Sequence, residues 1–207
     1  MAKINNVPLD QSTEEKIKQS AEKVFMEKGF FGARTRDIAV EAGINLALLN
    51  YYFRSKENLF KIIMEEKLKQ FFGFVIDVLR DPNIPLQNKV KVLVNKYTDM
   101  LIKLPELPIF VLGELKRNPN FFVENLKVKE RFQEGVADFL KTYNVSSKEE
   151  LAQIMLSLLG MTIFPFLGKD IILSLLDFSN EEYHNIIDKR RELIPIWMEE
   201  IIKIQLK

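Results

Sequence analysis

Residues 33–56 constrain the fold more than any other stretch of this chain. The first half places its apolar residues on one helical face, at Ile38, Ala39 and Ala42. Gly43 follows directly, where a helix commonly ends in the left-handed conformation that glycine tolerates. Asn45 is a good N-cap for a second helix. The pattern therefore predicts two short helices joined by a tight turn, which is a helix-turn-helix.

The second helix of this unit should have distinct inner and outer faces. Its inward stripe consists of Leu46, Leu49 and Phe53. This turns Ala47, Leu48 and Tyr51 outward, with Asn50 on the border. Thr35 is the expected N-cap of the first helix, and Ser55 caps a further helix that opens with Lys56. Ile44 should fill the angle between the two short helices.

An amphipathic helix is expected upstream of the turn. Its apolar and small residues recur at helical spacing, at Ile17, Ser20, Ala21, Val24 and Phe25. Gly29 should stop this helix. The N-terminal part is thus predicted to be three helices on one small core, with a fourth helix leaving from Lys56.

The second helix of a helix-turn-helix fits the major groove of DNA. The basic residues between 33 and 56 are Arg34, Arg36, Arg54 and Lys56, against the acidic Asp37 and Glu41. Four minus two leaves a local charge of +2, at the helix ends where phosphates would pass. Plain packing in an all-helical protein, with a solvated charged face, gives a similar pattern and remains the alternative.

The stretch from about Thr13 to Phe60 resembles the DNA-binding domain of the tetracycline-repressor (TetR) family of transcription regulators. The matching residues are Ala21, Phe25, Gly29-Phe30, Thr35-Arg36-Asp37-Ile38-Ala39, Ala42-Gly43-Ile44, Leu49, Tyr51-Tyr52-Phe53, Ser55-Lys56-Glu57 and Leu59-Phe60. Their order and spacing hold without a gap over about a quarter of the chain. The remainder agrees only in length and helical character.

The resemblance implies roles for individual residues. It places Thr35 and Arg36 on the DNA backbone. It places Asn45, Leu46, Ala47 and Leu48 at base edges, and Tyr51, Tyr52 and Lys56 on phosphates. Packing of the helix end is the competing interpretation for at least one of the two tyrosines.

The chain departs from the family pattern at two places. Asn50 stands where the family usually has tyrosine, and asparagine can bond adenine bidentately or reach a phosphate. The start of the recognition helix is unusually apolar, which suits thymine methyl groups but offers few hydrogen bonds. Helical periodicity also turns Leu46 inward, against its expected role.

The predicted fold is all-α, with a DNA-binding domain over residues 10–60 (helix-turn-helix about 35–54) and a ligand-binding and dimerisation domain over 61–207. A shared long helix joins the two domains. Proline and cap signals predict helices over 57–80, 86–104, 109–117 and 121–143, and a further helix start at Ser146-Ser147.

Residues 151–168 carry no charge and reach the length of a short membrane span. A helix that is apolar all round can instead lie in a core or a subunit interface. The resemblance implies a homodimer through about 148–168 and a last helix over 181–204. Pro195 should kink that last helix unless it lies near a break. A monomer core and a membrane-associated or partner-binding protein remain alternatives.

Aromatic and methionine side chains of the C-terminal part could line a cavity between helices. They are Phe71, Phe72, Phe74, Met100, Phe110, Met155 and Phe164. All except Phe72 are our candidate ligand-pocket residues, although ordinary core packing produces the same pattern. A ligand there would be apolar or amphipathic, since no buried-charge pattern identifies another class.

Composition narrows the function further. The net charge of +1 does not suit a nonspecific nucleic-acid coat. The absence of cysteine removes disulfides, thiolate catalysis and cysteine-based zinc sites, and is compatible with the cytoplasm. The single histidine, His184, lies among polar residues as an exposed helix residue would. The polar N-terminus lacks the apolar segment of a secretory signal.

An enzyme built on an apolar helical pocket is the alternative from another class. Against it, the sequence shows no nucleophile–base pair, no metal constellation and no Gly-rich phosphate loop. We therefore expect no catalytic residues, no metal and no cofactor. The resemblance implies a homodimeric repressor that binds a palindromic double-stranded DNA operator and is released by a small-molecule effector.

Overall fold

The computed structural model describes residues 11–117, 119, 137, 145 and 147–205. Every regular element within these residues is a helix, which confirms the all-α prediction. The helices are α1 (Gln11–Gly32), α2 (Thr35–Glu41), α3 (Leu46–Phe53), α4 (Lys56–Arg80), α5 (Leu86–Lys103), α6 (Leu107–Arg117), α7 (Lys148–Leu167), α8 (Lys169–Leu176) and α9 (Asn180–Gln205). Apart from residue 137, the helix expected over 121–143 lies outside the described residues.

The turns between the first helices follow the predicted signals. Gly29 interrupts α1 with φ 66°, and the chain resumes a helical turn that ends at Gly32. Gly43 has φ 62° between α2 and α3. The side chain of Asn45 accepts a hydrogen bond from the N–H of Leu48 at 2.8 Å, and Ser55 caps α4 through the N–H of Asn58.

The predicted cap of α2 was wrong. Arg34, in extended conformation, is the N-cap, and Thr35 is the first helical residue. The reason lies three residues past the cap, where the Asp37 carboxylate accepts a hydrogen bond from the backbone N–H of Arg34 at 3.4 Å. This interaction fixes the start of the helix without a hydroxyl cap.

The middle helices end close to their predicted boundaries. α6 begins at Leu107, two residues before the predicted start, with Pro108 in its first turn. A proline there is tolerated because the first-turn N–H groups have no intrahelical partner. Ser147 caps α7 in a capping box with Glu150. The sequence did not predict α8, and α9 continues as one helix through Pro195.

Buried apolar side chains form two clusters. The larger begins with Ile17 in α1 and continues through the inner face of α3 into α4 and α6. The smaller lies between α5, α7 and α9 and includes Val94, Ile154, Ile194 and Met198. The N-terminal helices and α4 thus share one continuous core, and the predicted domain boundary at residue 60 remains a prediction.

Candidate nucleic-acid interface and internal cavity

The inner and outer faces of α3 are clearly separated. Leu49 and Phe53 are buried in the larger core. The exposed residues of the opposite side, together with the C-cap, are Ala47, Asn50, Tyr51 and Arg54, and we call them the α3 outer face. α3 therefore rests on the protein through one stripe and presents the other to solvent, as a groove-binding helix must.

The other predicted contact residues differ in how far they are exposed to solvent. Arg36 and Asn45 are exposed, whereas Thr35, Leu46 and Leu48 are partly buried. The partial burial of Leu46 agrees with the helical periodicity, which turned it inward. The side-chain oxygen of Asn45 is occupied by the cap of α3, so its amide NH₂ is the group available to an incoming partner.

The electrostatics around α3 come from pairing within the N-terminal helices. Lys28 Nζ lies 3.2 Å from Asp37 Oδ2, and Lys23 Nζ lies 2.7 Å from Glu41 Oε1. The hydrogen bond from Lys28 is the main cause that lowers the pKa of Asp37. Both α2 carboxylates are therefore occupied by lysines of α1.

The arginines beside α3 are not neutralised in this way. Arg34, Arg36 and Arg54 are exposed, and none of them forms an ion pair within 4 Å in the part of the chain that the structure describes, although the charge of Arg34 adds to the lowering of the pKa of Asp37. The exposed positive charge beside α3 is thus carried by three guanidinium groups, which bind phosphate well. Arg54 sits at φ 63°, a backbone conformation that is uncommon for a residue other than glycine.

Lys56 and the two tyrosines also have identifiable neighbours. Lys56 Nζ donates to the backbone oxygens of Phe30 at 2.9 Å and Ala33 at 3.1 Å, and it lies 4.2 Å from the centre of the Phe30 ring. Tyr52 packs against the larger core, while Tyr51 is 48% exposed and meets the Tyr52 ring edge-on. Tyr52 thus packs as the competing interpretation expects, and the phosphate roles of Tyr51, Tyr52 and Lys56 remain predictions.

A second link joins the N-terminal helices to α6. Glu114 is buried, and its Oε1 accepts hydrogen bonds from the N–H of Phe30 at 3.4 Å and from Arg117 Nη1 at 2.6 Å. The acceptor lies directly beside Gly29, where the chain takes its positive φ. The sequence motif contains Gly29 and Phe30 but gives no sign that a glutamate 84 residues away satisfies the turn.

A cavity of about 100 Å³ lies between α4, α5, α7 and α9. Thirteen residues in the described part of the chain line it; eleven of these are apolar, and the other two are Lys89 and Tyr97. Burial raises the pKa of the Tyr97 hydroxyl, which therefore stays protonated, and within the described residues this hydroxyl has no hydrogen-bond partner. The sequence analysis missed both residues, because it considered only phenylalanine and methionine side chains for the cavity and because a lysine is normally placed at the surface.

Two of the seven side chains that the sequence analysis named for a cavity line this one, Phe72 and Met155, and the ligand-pocket assignment remains a prediction. Of the six candidate ligand-pocket residues, Met155 is the one that lines it. Phe71 and Phe110 are buried in the larger core, and Phe74 and Met100 pack against it. Phe164 is 63% exposed on α7. Periodicity marks an apolar face but does not show which neighbouring helices leave space beside it.

α7 carries an exposed apolar strip that continues onto α8. The strip, as we use the name below, consists of Leu156, Phe164, Leu167, Ile171 and Leu175. By length and composition, α7 is the one helix among the described residues that could cross a membrane, and only 17% of its apolar window is buried. An apolar surface of this kind marks an interaction site.

Comparison with known proteins identifies the N-terminal helices. Residues 17–63 match the family described as bacterial regulatory proteins, tetR family. Over 55 residues the chain is 42% identical to the candidate HTH-type transcriptional regulator YttP of Bacillus subtilis (strain 168), which covers 27% of each protein. A second relative is the HTH-type transcriptional repressor KstR2 of Mycolicibacterium smegmatis (strain ATCC 700084 / mc(2)155), to which the chain is 28% identical over 137 residues. This alignment covers 61% of this chain and 66% of that relative. The chain thus spans less than two thirds of either relative.

The whole fold also has solved counterparts. A candidate fatty acid metabolism regulator of Clostridium perfringens superposes with a TM-score of 0.65 at 20% sequence identity, over 88% of this chain and 96% of that one. At this level of identity the likeness concerns the fold alone. The matched segment identifies residues 17–63 as an N-terminal domain of the tetR family of bacterial regulatory proteins, within a chain whose overall fold has this solved counterpart.

Proposed function

We propose that this protein is a transcriptional repressor that binds a palindromic operator as a homodimer and is released by a small apolar or amphipathic effector. The observation that carries the proposal is the exposed α3 outer face beside arginines without ion-pair partners among the described residues. The family is one of DNA-binding regulators rather than enzymes, which argues against the enzyme alternative. A protein with this role works in the cytoplasm, where bacterial DNA lies.

The geometry suggests how the DNA contacts are divided. Arg36, at the start of α2, and Arg54, at the end of α3, would bind phosphates. The Tyr51 hydroxyl and Thr35 would bind phosphates beside them. Asn45 and Asn50 are exposed and would offer amide groups to base edges. Ala47 and the partly buried Leu48 would meet thymine methyl groups. Leu46 and Leu48 are partly buried, so they are the least accessible of the proposed base contacts.

Dimerisation follows from the apolar strip on α7 and α8. A soluble chain that leaves this strip exposed gains free energy by covering it, and a second copy related by a two-fold axis brings the same strip to the same place. α9, which packs against α7, adds the exposed Ile196 and Ile204. Two copies then carry two α3 helices, which matches a palindromic site with half-sites about one helical turn or somewhat more apart.

Release by an effector would work through α4. This helix begins at Lys56, which binds the backbone of Phe30 and Ala33, and further along it lines the cavity with Phe72, Val75 and Leu79. Its 25 residues span about 37 Å at 1.5 Å per residue. A ligand that prefers a tilted α4 would shift the spacing of the two α3 helices, in proportion to its difference in affinity for the two states.

Two names among the compared proteins support this direction. One relative is a transcriptional repressor, and one solved structure is a candidate regulator of fatty acid metabolism. We therefore propose repression and an apolar effector for this chain as well.

Selection of bound sequences from random double-stranded DNA tests the proposal. We expect an inverted repeat, and we expect Arg36→Ala combined with Tyr51→Ala to weaken binding at least tenfold. Lys91→Ala, an exposed change on α5, is the matched control and should have no effect. Selection that enriches no sequence, or equal binding by both variants, would overturn the proposal.

Asn45 offers a finer test because its cap and its DNA contact can be separated. Asn45→Asp keeps an acceptor for the N–H of Leu48 but places a negative charge next to the DNA. We expect unchanged thermal stability and a large loss of operator affinity. Asn45→Asp binding the operator as tightly as the unaltered protein would remove this residue from the interface.

A further inference from the structure

We infer that the cavity between α4, α5, α7 and α9 binds a neutral, mainly hydrocarbon molecule with one hydrogen-bonding group, and that this group pairs with the hydroxyl of Tyr97. The inference deepens the proposed function, on which its regulatory meaning rests. It narrows the effector from apolar or amphipathic to uncharged.

The first argument is the unsatisfied hydroxyl of Tyr97. Tyr97 is 1% exposed and lines the cavity, and its oxygen has no hydrogen-bond partner within the described residues. A buried hydroxyl without a partner costs free energy. Leaving it so beside an open space is understandable when the missing partner belongs to a ligand that enters that space.

The second argument concerns charge. Lys89 is the one charged residue among the lining residues that the structure describes. Its ammonium donates to the backbone oxygens of Val78 at 2.9 Å, Leu79 at 2.8 Å and Asp81 at 2.8 Å. An ammonium has three donors, so all of them are used to close the C-terminal end of α4.

A carboxylate in the cavity would therefore have to take Lys89 away from α4 or remain unpaired. Either change is costly, because a buried charge without a partner loses its hydration without compensation. A cationic group would meet the already occupied Lys89 and apolar walls. An uncharged ligand has neither problem, and Tyr97 supplies the polar contact that orients it.

Four compounds built on a single benzene ring test the inference on the full-length protein. They are phenol, benzene, benzoate and benzylammonium, which suit a cavity of about 100 Å³. Binding is measured by calorimetry and by the rise in melting temperature at one fixed millimolar concentration. Phenol should bind at least tenfold more tightly than either charged probe.

Tyr97→Phe isolates the hydrogen bond. The variant loses an unpaired hydroxyl, so without ligand its melting temperature should be unchanged or higher. Its affinity for phenol should fall about three- to tenfold, whereas its affinity for benzene should not change. Tyr183→Phe is the matched control, because that hydroxyl donates to the Pro165 oxygen at 3.0 Å and Tyr183 does not line the cavity. It should lower the melting temperature and leave phenol binding unaltered.

Benzoate binding as tightly as phenol, no probe binding at all, or an unchanged phenol affinity in Tyr97→Phe would each overturn the inference. Operator selection with the same preparation separates the two proposals. Phenol binding without DNA binding would refute the repressor and keep the cavity assignment. DNA binding without binding of any probe would do the reverse.

Discussion

Arg190 Nη2 donates a hydrogen bond to the backbone oxygen of Met161 at 2.8 Å. That oxygen is the one which Pro165, four residues later in α7, cannot pair, because proline has no N–H. The hydroxyl of Tyr183 in turn donates to the Pro165 oxygen at 3.0 Å. α9 thus supplies donors to the backbone of α7 where the proline interrupts it.

This pairing predicts a coupling between two positions on different helices. Arg190→Met should lower the free energy of unfolding by about 1–3 kcal/mol, since it leaves the Met161 oxygen without its donor. In a Pro165→Ala background the alanine N–H can pair with that oxygen, and the same change should cost about 1 kcal/mol less. Denaturant unfolding of the four proteins at one protomer concentration measures the cycle. An equal cost in both backgrounds would refute the relationship.

Gly29 should be far less replaceable than a glycine inside a regular helix. A Cβ at Gly29 would lie 3.3 Å from both Glu114 Oε1 and Arg117 Nη1, at a φ of 66° that alanine rarely adopts. We expect Gly29→Ala to destabilise the protein by about 1–3 kcal/mol. Gly73→Ala in α4, where the Cβ would meet only the Lys69 side chain at 3.4 Å, should be neutral or stabilising by up to about 1 kcal/mol. Thermal unfolding compares them, and similar effects of the two changes would contradict this interpretation of Gly29.

One variant can decide whether the Lys56 ammonium stabilises the fold or binds a DNA phosphate. Lys56→Met keeps the aliphatic stem but leaves the Phe30 and Ala33 oxygens without their donor, so unfolding should become easier by about 1–2 kcal/mol. The dependence of operator affinity on salt should change little, whereas Arg36→Ala should reduce its slope by about one. A reduced slope with unchanged stability in Lys56→Met would instead assign its ammonium to a phosphate.

The apolar strip predicts the oligomeric state. Leu156 is 68% exposed on α7. Because a two-fold interface contains the same residue from both protomers, Leu156→Glu would place two negative charges in it. We expect sedimentation to show a dimer for the unaltered chain and a monomer for Leu156→Glu. Ile102→Glu, a similar change at an exposed residue of α5, should remain dimeric. Dissociation of both variants, or of neither, would place the interface elsewhere.

Local chemistry determined most of the N-terminal helices. Asn45 and Ser55 cap helices in the structure as their sequence positions predict, because a cap needs only a side-chain oxygen next to the following N–H groups. Gly43 likewise takes its left-handed turn from its own lack of a Cβ. The inner face of α3 could be predicted for the same reason, since a helical stripe repeats within a few residues.

Interactions between distant segments could not be predicted in this way. Glu114 accepts a hydrogen bond from the backbone N–H of Phe30 at the turn. Arg190 donates to the backbone oxygen of Met161 in α7, and Lys89 donates to backbone oxygens at the end of α4. Each is a charged side chain that a sequence pattern assigns to the surface, and each is drawn inward by a backbone group that would otherwise be unpaired. The sequence by itself determined most of the helices that the structure describes, α8 excepted, and the buried face of α3. Only the tertiary structure decided which apolar faces close into cores, which enclose the cavity beside Tyr97 and which stay exposed on α7, because that depends on how whole helices pack.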